Sequence, residues 1–154
     1  MSASVDKNHP IVGTWRLISF TDRNLDTGAV SYPFGDSARA FVIYTADGYT
    51  ATLFTRSDRK PPVGAQASEQ EAAALYRSMI AFAGRYELAG QRLLYKPEIS
   101  WNEAWNGTTQ ERRFVVGDNR LEVTSVPLVS PLTGARTMFS LVWERAAPQS
   151  RDAV

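Results

Sequence analysis

Short runs of alternating apolar and polar residues, separated by turn-forming residues, dominate the chain, and this pattern is typical of antiparallel β-strands. The clearest hairpin joins residues 39–45 to residues 49–55 through an Asp-Gly dipeptide, which favours a tight turn. Other extended runs lie at residues 11–20, 84–88, 91–97, 108–116, 121–126 and 136–144. Since closure removes exposed strand edges, we expect an all-β fold: a closed or nearly closed antiparallel barrel of eight to ten strands.

One segment between the third and fourth expected strands has helical character instead. Ser68 and Glu71 have the spacing of a capping box, and alanines follow them, so we expect one inserted α-helix over residues 69–82. Its apolar stripe, expected to pack on the barrel, is Leu75, Met79 and Phe82. The helix either caps a pocket mouth, with Tyr76 or Met79 touching a ligand, or only covers apolar surface.

Composition excludes several chemistries. The 154 residues suit one domain, expected over residues 11–145, with a flexible lead at 1–10 and a polar tail at 146–154. A formal charge of +1 gives no argument for nucleic acid or an anionic membrane as partner. With no cysteine and one histidine, His9 in the lead, we expect no metal, no cofactor and no histidine-based triad. No apolar run suits a leader or a membrane span, so we expect a cytoplasmic protein.

The most unusual composition lies between residues 97 and 107, where Trp101 and Trp105 stand beside Glu98 and two asparagines. Indole rings bury large areas, and their N–H groups need acceptors when enclosed, so such clusters often border binding sites. We expect an aromatic, partly polar wall here. The alternative is that these aromatics only close one end of the barrel.

A candidate polar anchor follows in the next strand. By strand alternation Gln110, Arg112 and Phe114 share one face, so an inward Phe114 brings the other two inward as well. A guanidinium inside a barrel needs a partner, because an unpaired buried charge costs several kcal/mol. That partner is a ligand, a set of carbonyl oxygens, or a permanent internal carboxylate such as Glu98. On the first hairpin, Tyr44 and Phe54 either fill the barrel or contact the ligand.

Three motifs resemble known families. Gly13-x-Trp15 near the start, with Arg145 in the last strand, resembles the lipocalin superfamily, in which the arginine packs across the tryptophan at the closed end. Two further motifs resemble the bacterial and fungal lipocalin-like domain family: Tyr44-x-x-Asp47-Gly48, and Trp105-x-Gly107-x-x-Gln110-x-Arg112-x-Phe114. The resemblance implies a barrel smaller than the secreted lipocalins. Relatives commonly carry a histidine where Tyr95 stands here, and a phenol with a pKa of about 10 is a poor base near neutrality.

Three classes of function follow. The first is a carrier or sensor that encloses a small hydrophobic or aromatic, oxygenated ligand. The second is an isomerase or cyclase without a cofactor, acting on a polyketide-like or terpenoid-like intermediate, with Tyr95, Glu98 or Arg112 supplying proton transfer or charge stabilisation. The third is an interaction module, and a homodimer is possible in any of them. The candidate ligand contacts are Tyr44, Phe54, Tyr76, Met79, Tyr95, Glu98, Trp101, Trp105, Gln110 and Arg112.

Overall fold

Ten β-strands, one α-helix and one turn of 3-10 helix are present in residues 5–148, the part of the chain that this computed structural model describes. In chain order the elements are β1 (Gly13–Asn24), β2 (Val30–Ser31), β3 (Arg39–Tyr44), β4 (Tyr49–Thr55), α1 (Glu69–Arg77), β5 (Met79–Ala89), β6 (Arg92–Ser100), the 3-10 helix (Glu103–Trp105), β7 (Gln110–Val116), β8 (Arg120–Ser125), β9 (Leu128–Val129) and β10 (Arg136–Arg145).

Eight of these strands form a closed antiparallel barrel, which confirms the predicted fold class. The order around the barrel is β1, β3, β4, β5, β6, β7, β8 and β10, and β1 pairs with β10 to close it. The two-residue strands β2 and β9 extend the sheet at its ends. Alternate residues of each barrel strand point inward, so the interior fills with apolar and aromatic side chains.

A β-bulge in β1 changes which face of the strand points inward. The pairing with β10 shifts between Leu17 and Ser19, so Ile18 is left outside the regular ladder and its side chain is exposed. Strict alternation from the buried Trp15 puts Phe20 on the outer face. Because of the extra residue, Phe20 is buried in the barrel instead.

The α-helix is shorter than predicted and covers less of the barrel surface than predicted. Its capping box forms as expected, since Ser68 accepts from the backbone N–H of Glu71 and the Glu71 carboxylate accepts from that of Ser68. It ends at Arg77 instead of residue 82, because the next residues pair with β4 as strand β5. The expected apolar stripe is therefore absent, and no residue of α1 is buried. No helix in residues 5–148 has the length and hydropathy of a membrane span.

The closed end of the barrel is held by Trp15 and Arg145, the contact that the resemblance implied. The guanidinium carbon lies 4.3 Å from the indole centroid, in a cation–π contact. Arg145 also donates to the carbonyls of Pro10 and Val12, which ties the last strand to the chain entering the first, and to the carbonyl of Asp118 in the turn between β7 and β8. The indole Nε1 donates to the carbonyl of Ile11 at 2.9 Å.

Part of the predicted flexible lead is folded against the barrel. Residues 5–10 form turns, and the backbone N–H of His9 donates to the carbonyl of Asp6 at 2.8 Å. The His9 ring lies edge-on to Phe114, with centroids 6.1 Å apart, where a solvated side chain was expected. Residues 1–4 of the lead and 149–154 of the polar tail lie outside the described part of the chain.

Arg145→Ala is expected to lower the free energy of unfolding by about 1–2 kcal/mol, because it removes the cation–π contact and the stem packing over Trp15. Chemical denaturation measures this, with Arg23→Ala, an exposed arginine of β1, as the control. Equal unfolding midpoints for the two variants would contradict the role assigned to the closed end.

Candidate functional site

A small cavity lies inside the barrel and is walled almost entirely by aromatic and aliphatic side chains. Its volume is about 40 Å³, enough for one or two water molecules. The lining residues are Phe20, Thr52, Phe54, Ile80, Phe82, Tyr95, Trp105, Arg112, Val123, Phe139, Leu141 and Trp143. Any organic ligand in this site must therefore displace side chains as it enters.

Five of the ten candidate contacts meet in or directly behind this wall. Phe54, Tyr95, Trp105 and Arg112 line the cavity, and Tyr44 lies buried behind Tyr95. The other candidates lie elsewhere or at its margin.

The remaining candidates are more exposed. Tyr76 projects from the surface of α1, and Met79 is half-buried at the start of β5. Gln110 is half-buried and donates to the hydroxyl of Thr108 at 2.8 Å, while Trp101 packs edge-on against Trp105. Glu98 points outward and lies 3.7 Å from Arg85. The possible internal pair between Glu98 and Arg112 is therefore not formed.

Arg112 is the central polar group of the site. Only 6% of the residue is exposed, and its Nη1 donates to the carbonyl of Glu111 at 2.8 Å. Its guanidinium carbon lies 5.9 Å from the Trp105 ring centroid. No carboxylate of residues 5–148 forms an ion pair with it. Burial lowers the pKa of Arg112, the phenols of Tyr95 and Tyr44 act in the opposite direction, and the side chain stays charged.

Two tyrosines form a buried, hydrogen-bonded pair beside this arginine. The hydroxyls of Tyr44 and Tyr95 are hydrogen-bonded, with the rings nearly parallel. Burial raises the pKa of Tyr95 to about 12, although Tyr44 and Arg112 act to lower it, so the phenol is neutral at physiological pH. In the described structure Tyr44 bonds to no other acceptor. When Tyr44 donates to Tyr95, the Tyr95 hydroxyl keeps its own hydrogen for a second acceptor.

The cavity wall carries further polar groups that lack partners. The indole Nε1 of Trp143 and the hydroxyl of Thr52 are buried, and neither has a hydrogen-bond partner within the described residues. Together with Arg112 and Tyr95, they make a wall with more donors than acceptors. Since buried donors without partners are costly, such a wall favours a guest that carries acceptor oxygens.

Asp22 is a buried carboxylate next to this wall. It follows Phe20 by two residues on the inward face of β1 and pairs with Phe139, and both of those aromatics line the cavity. It is 6% exposed, and its Oδ1 has no partner among residues 5–148. Burial raises the pKa of Asp22. No cluster of three or more potential metal ligands occurs in the described chain.

Several residues of the cavity wall were not predicted from the sequence, and the reasons are identifiable. Phe20 was missed because of the bulge at Ile18, and Ile80 and Phe82 because they were assigned to the helix. A signal for the others was present in the alternation of inward positions along β4, β8 and β10. Those positions include Thr52, Phe139, Leu141 and Trp143.

The closed β-barrel agrees with the comparison of the sequence with known protein families. The model of the lipocalin-like domain matches residues 12–146, which is most of the chain, and the protein belongs to this family. A barrel of this kind suits small-molecule binding in general. No curated protein is similar enough to the chain to count as a match.

Asp22→Asn is expected to raise the melting temperature at neutral pH, because the folded state raises the pKa of this carboxyl and ionisation there costs stability. As the pH falls through that raised pKa, the wild-type carboxyl gains its proton and the gain from asparagine disappears. Melting curves across this range measure the effect, with the exposed Asp118→Asn as control. A gain that grows towards acid pH would contradict the burial argument.

Proposed function

We propose that the barrel binds a small, flat, oxygenated aromatic or apolar molecule. Arg112 and Tyr95 hold a ligand oxygen, and Trp105 contacts the ligand ring. The observation that carries this proposal is the buried guanidinium of Arg112, which has no carboxylate partner in the described chain. Of the three kinds of partner considered for Arg112, no carboxylate pairs with it in the described chain and one carbonyl, that of Glu111, accepts from it, so in our proposal a ligand oxygen is the further partner.

The donor-rich wall supports the chemistry of this guest. A carbonyl, phenolate or carboxylate oxygen accepts from both Arg112 and Tyr95, and charge-assisted hydrogen bonds of this kind are the stronger ones. The surrounding rings supply apolar contact, including Phe54 and Phe82. A small-molecule site usually has a few polar anchors within an apolar wall.

The size of the cavity requires side chains to move when a ligand enters, and we assign that movement to Trp105. Ligand pockets commonly measure about 300–1,000 Å³, far more than the space inside this barrel. Trp105 belongs to the short 3-10 helix, outside the strand ladder, so its ring can swing away without breaking strand pairing. Its position over Arg112 is the one that a ligand ring takes in our proposal.

A second candidate is a cofactor-independent isomerase or cyclase for a polyketide-like or terpenoid-like intermediate. The observation that favours it is the neutral Tyr95 phenol beside the charged Arg112, backed by Tyr44. Such a pair stabilises negative charge on a substrate oxygen, and the phenol can give that oxygen a proton. Glu98 points outward, away from this pair, and has no role in our proposal.

Arg112→Met is expected to weaken binding of 2-naphthoate by about 1.5–3 kcal/mol, the range for a hydrogen bond to a charged group. Stability should change little, because replacing a buried charge with an apolar group of similar shape is often neutral. Titration followed by tryptophan fluorescence measures binding, since Trp105 and Trp143 line the site. Arg113→Met, the outward neighbour, is the matched control, and naphthalene tests whether the carboxylate matters.

Two outcomes of this experiment would contradict the proposal. One is a stability loss of about 3–5 kcal/mol with unchanged affinity, which indicates a stranded internal partner. The other is an equal loss of affinity for naphthalene and for its carboxylate.

Tyr95→Phe separates the carrier from the enzyme. If the protein only binds, the variant purified from its native host should retain the same molecule as the wild type, in smaller amount. If it is an isomerase or cyclase, the variant should retain the unconverted isomer, which chromatography resolves although the mass is unchanged. Tyr32→Phe, which changes an exposed tyrosine, is the control.

A cytoplasmic location remains a prediction, which fractionation of the host would test.

A further inference from the structure

Two polar groups of the cavity wall have no role in the contact that Arg112 and Tyr95 make with the ligand. They are the indole Nε1 of Trp143, a residue 2% exposed, and the hydroxyl of Thr52, a residue 5% exposed. Both side chains line the cavity, and neither polar atom has a hydrogen-bond partner within residues 5–148. Since a buried donor without an acceptor costs free energy, a guest that carries an acceptor oxygen would relieve that cost.

Trp143 and Thr52 are held on the same side of the barrel. Trp143 lies in β10 and Thr52 in β4, and each of these strands is paired with a neighbour on both sides, which fixes their backbone positions. The Trp143 ring lies 5.4 Å from the ring of Phe54, centroid to centroid. Phe54 is two residues beyond Thr52 on the inward face of β4. The indole thus reaches across the interior to the strand that carries the threonine.

The order of the strands places Arg112 and Tyr95 on the facing wall. Around the barrel β10, β1, β3 and β4 are consecutive, because β1 pairs with β10 and closes the sheet. β6, which carries Tyr95, and β7, which carries Arg112, are each four strands away from β1 and β3. The cavity therefore has two polar residues on each of two facing walls. The other residues that line it are aromatic or aliphatic.

The two walls differ in charge. Among the described residues that line the cavity, Arg112 is the one with a charge. An ionised group beside Trp143 and Thr52 would be buried without a counter-ion on its own wall, which is costly. The indole N–H and the threonine hydroxyl are neutral donors, and a carbonyl oxygen has two lone pairs to accept from both. The group that suits this wall is therefore a neutral carbonyl.

We propose that Trp143 and Thr52 form a second oxygen subsite, which takes a neutral carbonyl oxygen of the ligand whose acidic oxygen lies on Arg112 and Tyr95. The ligand class is then an aromatic molecule with a carboxylate or phenolate at one end and a ketone-type carbonyl at the other. The inference rests on the proposed binding function. It adds the residues that select ligands oxygenated at both ends over those oxygenated at one.

Calorimetric titration with a matched pair of ligands tests the subsite. They are 6-acetyl-2-naphthoate and 6-isopropenyl-2-naphthoate, in which a methylene group replaces the ketone oxygen at nearly the same shape. The wild type should bind the ketone about tenfold more tightly, because buried donors gain an acceptor. Trp143→Phe removes the N–H but keeps a ring, and Thr52→Val removes the hydroxyl but keeps the shape. Each should lower this preference, and the double variant should abolish it.

Thr50→Val is the matched control for these variants. Its hydroxyl is also buried on β4 without a partner in the described chain, but Thr50 does not line the cavity. The preference for the ketone should therefore stay at the wild-type value in this variant.

Nuclear magnetic resonance tests the role of Trp143 directly. The chain has four tryptophans, and the indole N–H resonance of Trp143 is assigned by its loss in Trp143→Phe. It should move downfield on saturation with the ketone and less with the isopropenyl compound. An identical resonance with both ligands would mean that the N–H group serves packing against the Phe54 ring, and would overturn the proposal.

The outcomes separate this inference from the function on which it rests. Equal affinity of the wild type for the two ligands, with Arg112-dependent binding of 2-naphthoate, would overturn the second subsite and leave the proposed function standing. A preference for the ketone that survives in the double variant would do the same. If no naphthoate binds to the wild type, the proposed function and the second subsite are both wrong.

Discussion

The cost of burying a charge is the constraint that governs the interior of this barrel. Arg112 is taken out of water by strand β7, and no carboxylate of the described chain pairs with it. A buried ion without a counter-ion costs several kcal/mol, so it is an inefficient way to stabilise a fold. The groups that offset the buried charge of Arg112 are the Glu111 carbonyl, the Trp105 ring and the nearby phenols. These groups leave room for an external oxygen, which is why we interpret the residue as functional.

The remainder of the fold keeps this group in place and dry. Closure between β1 and β10, held at one end by Trp15 and Arg145, fixes the strand frame on which Arg112 and Tyr95 lie. Aromatic side chains then fill the interior so completely that only about 40 Å³ remains. In our proposal the strands provide a fixed frame, and a movement of Trp105 makes room for the ligand.

Much of this structure was predictable, and the failures have physical causes. Strand alternation and the Asp-Gly turn were enough to predict the barrel and the inward direction of Arg112, because both depend on local residue order. The position of Phe20 depends on a bulge, and the end of the helix depends on pairing between β5 and β4. Both depend on contacts between strands, which override local propensity. The outward position of Glu98 was predictable, because alternation along β6 puts Tyr95 and Glu98 on opposite faces; the register shift between β5 and β6 accounts instead for the exposed Ile99.

The most direct test of the central claim is the side-chain nitrogen spectrum of Arg112. Its Nε–H resonance, assigned by its loss in Arg112→Met, is followed by nuclear magnetic resonance during titration with 2-naphthoate. We predict that the resonance shifts in proportion to the change in tryptophan fluorescence, while that of the outward Arg113 stays fixed. An Arg112 resonance that does not move while fluorescence reports saturation would show that the buried guanidinium serves the fold and not the ligand.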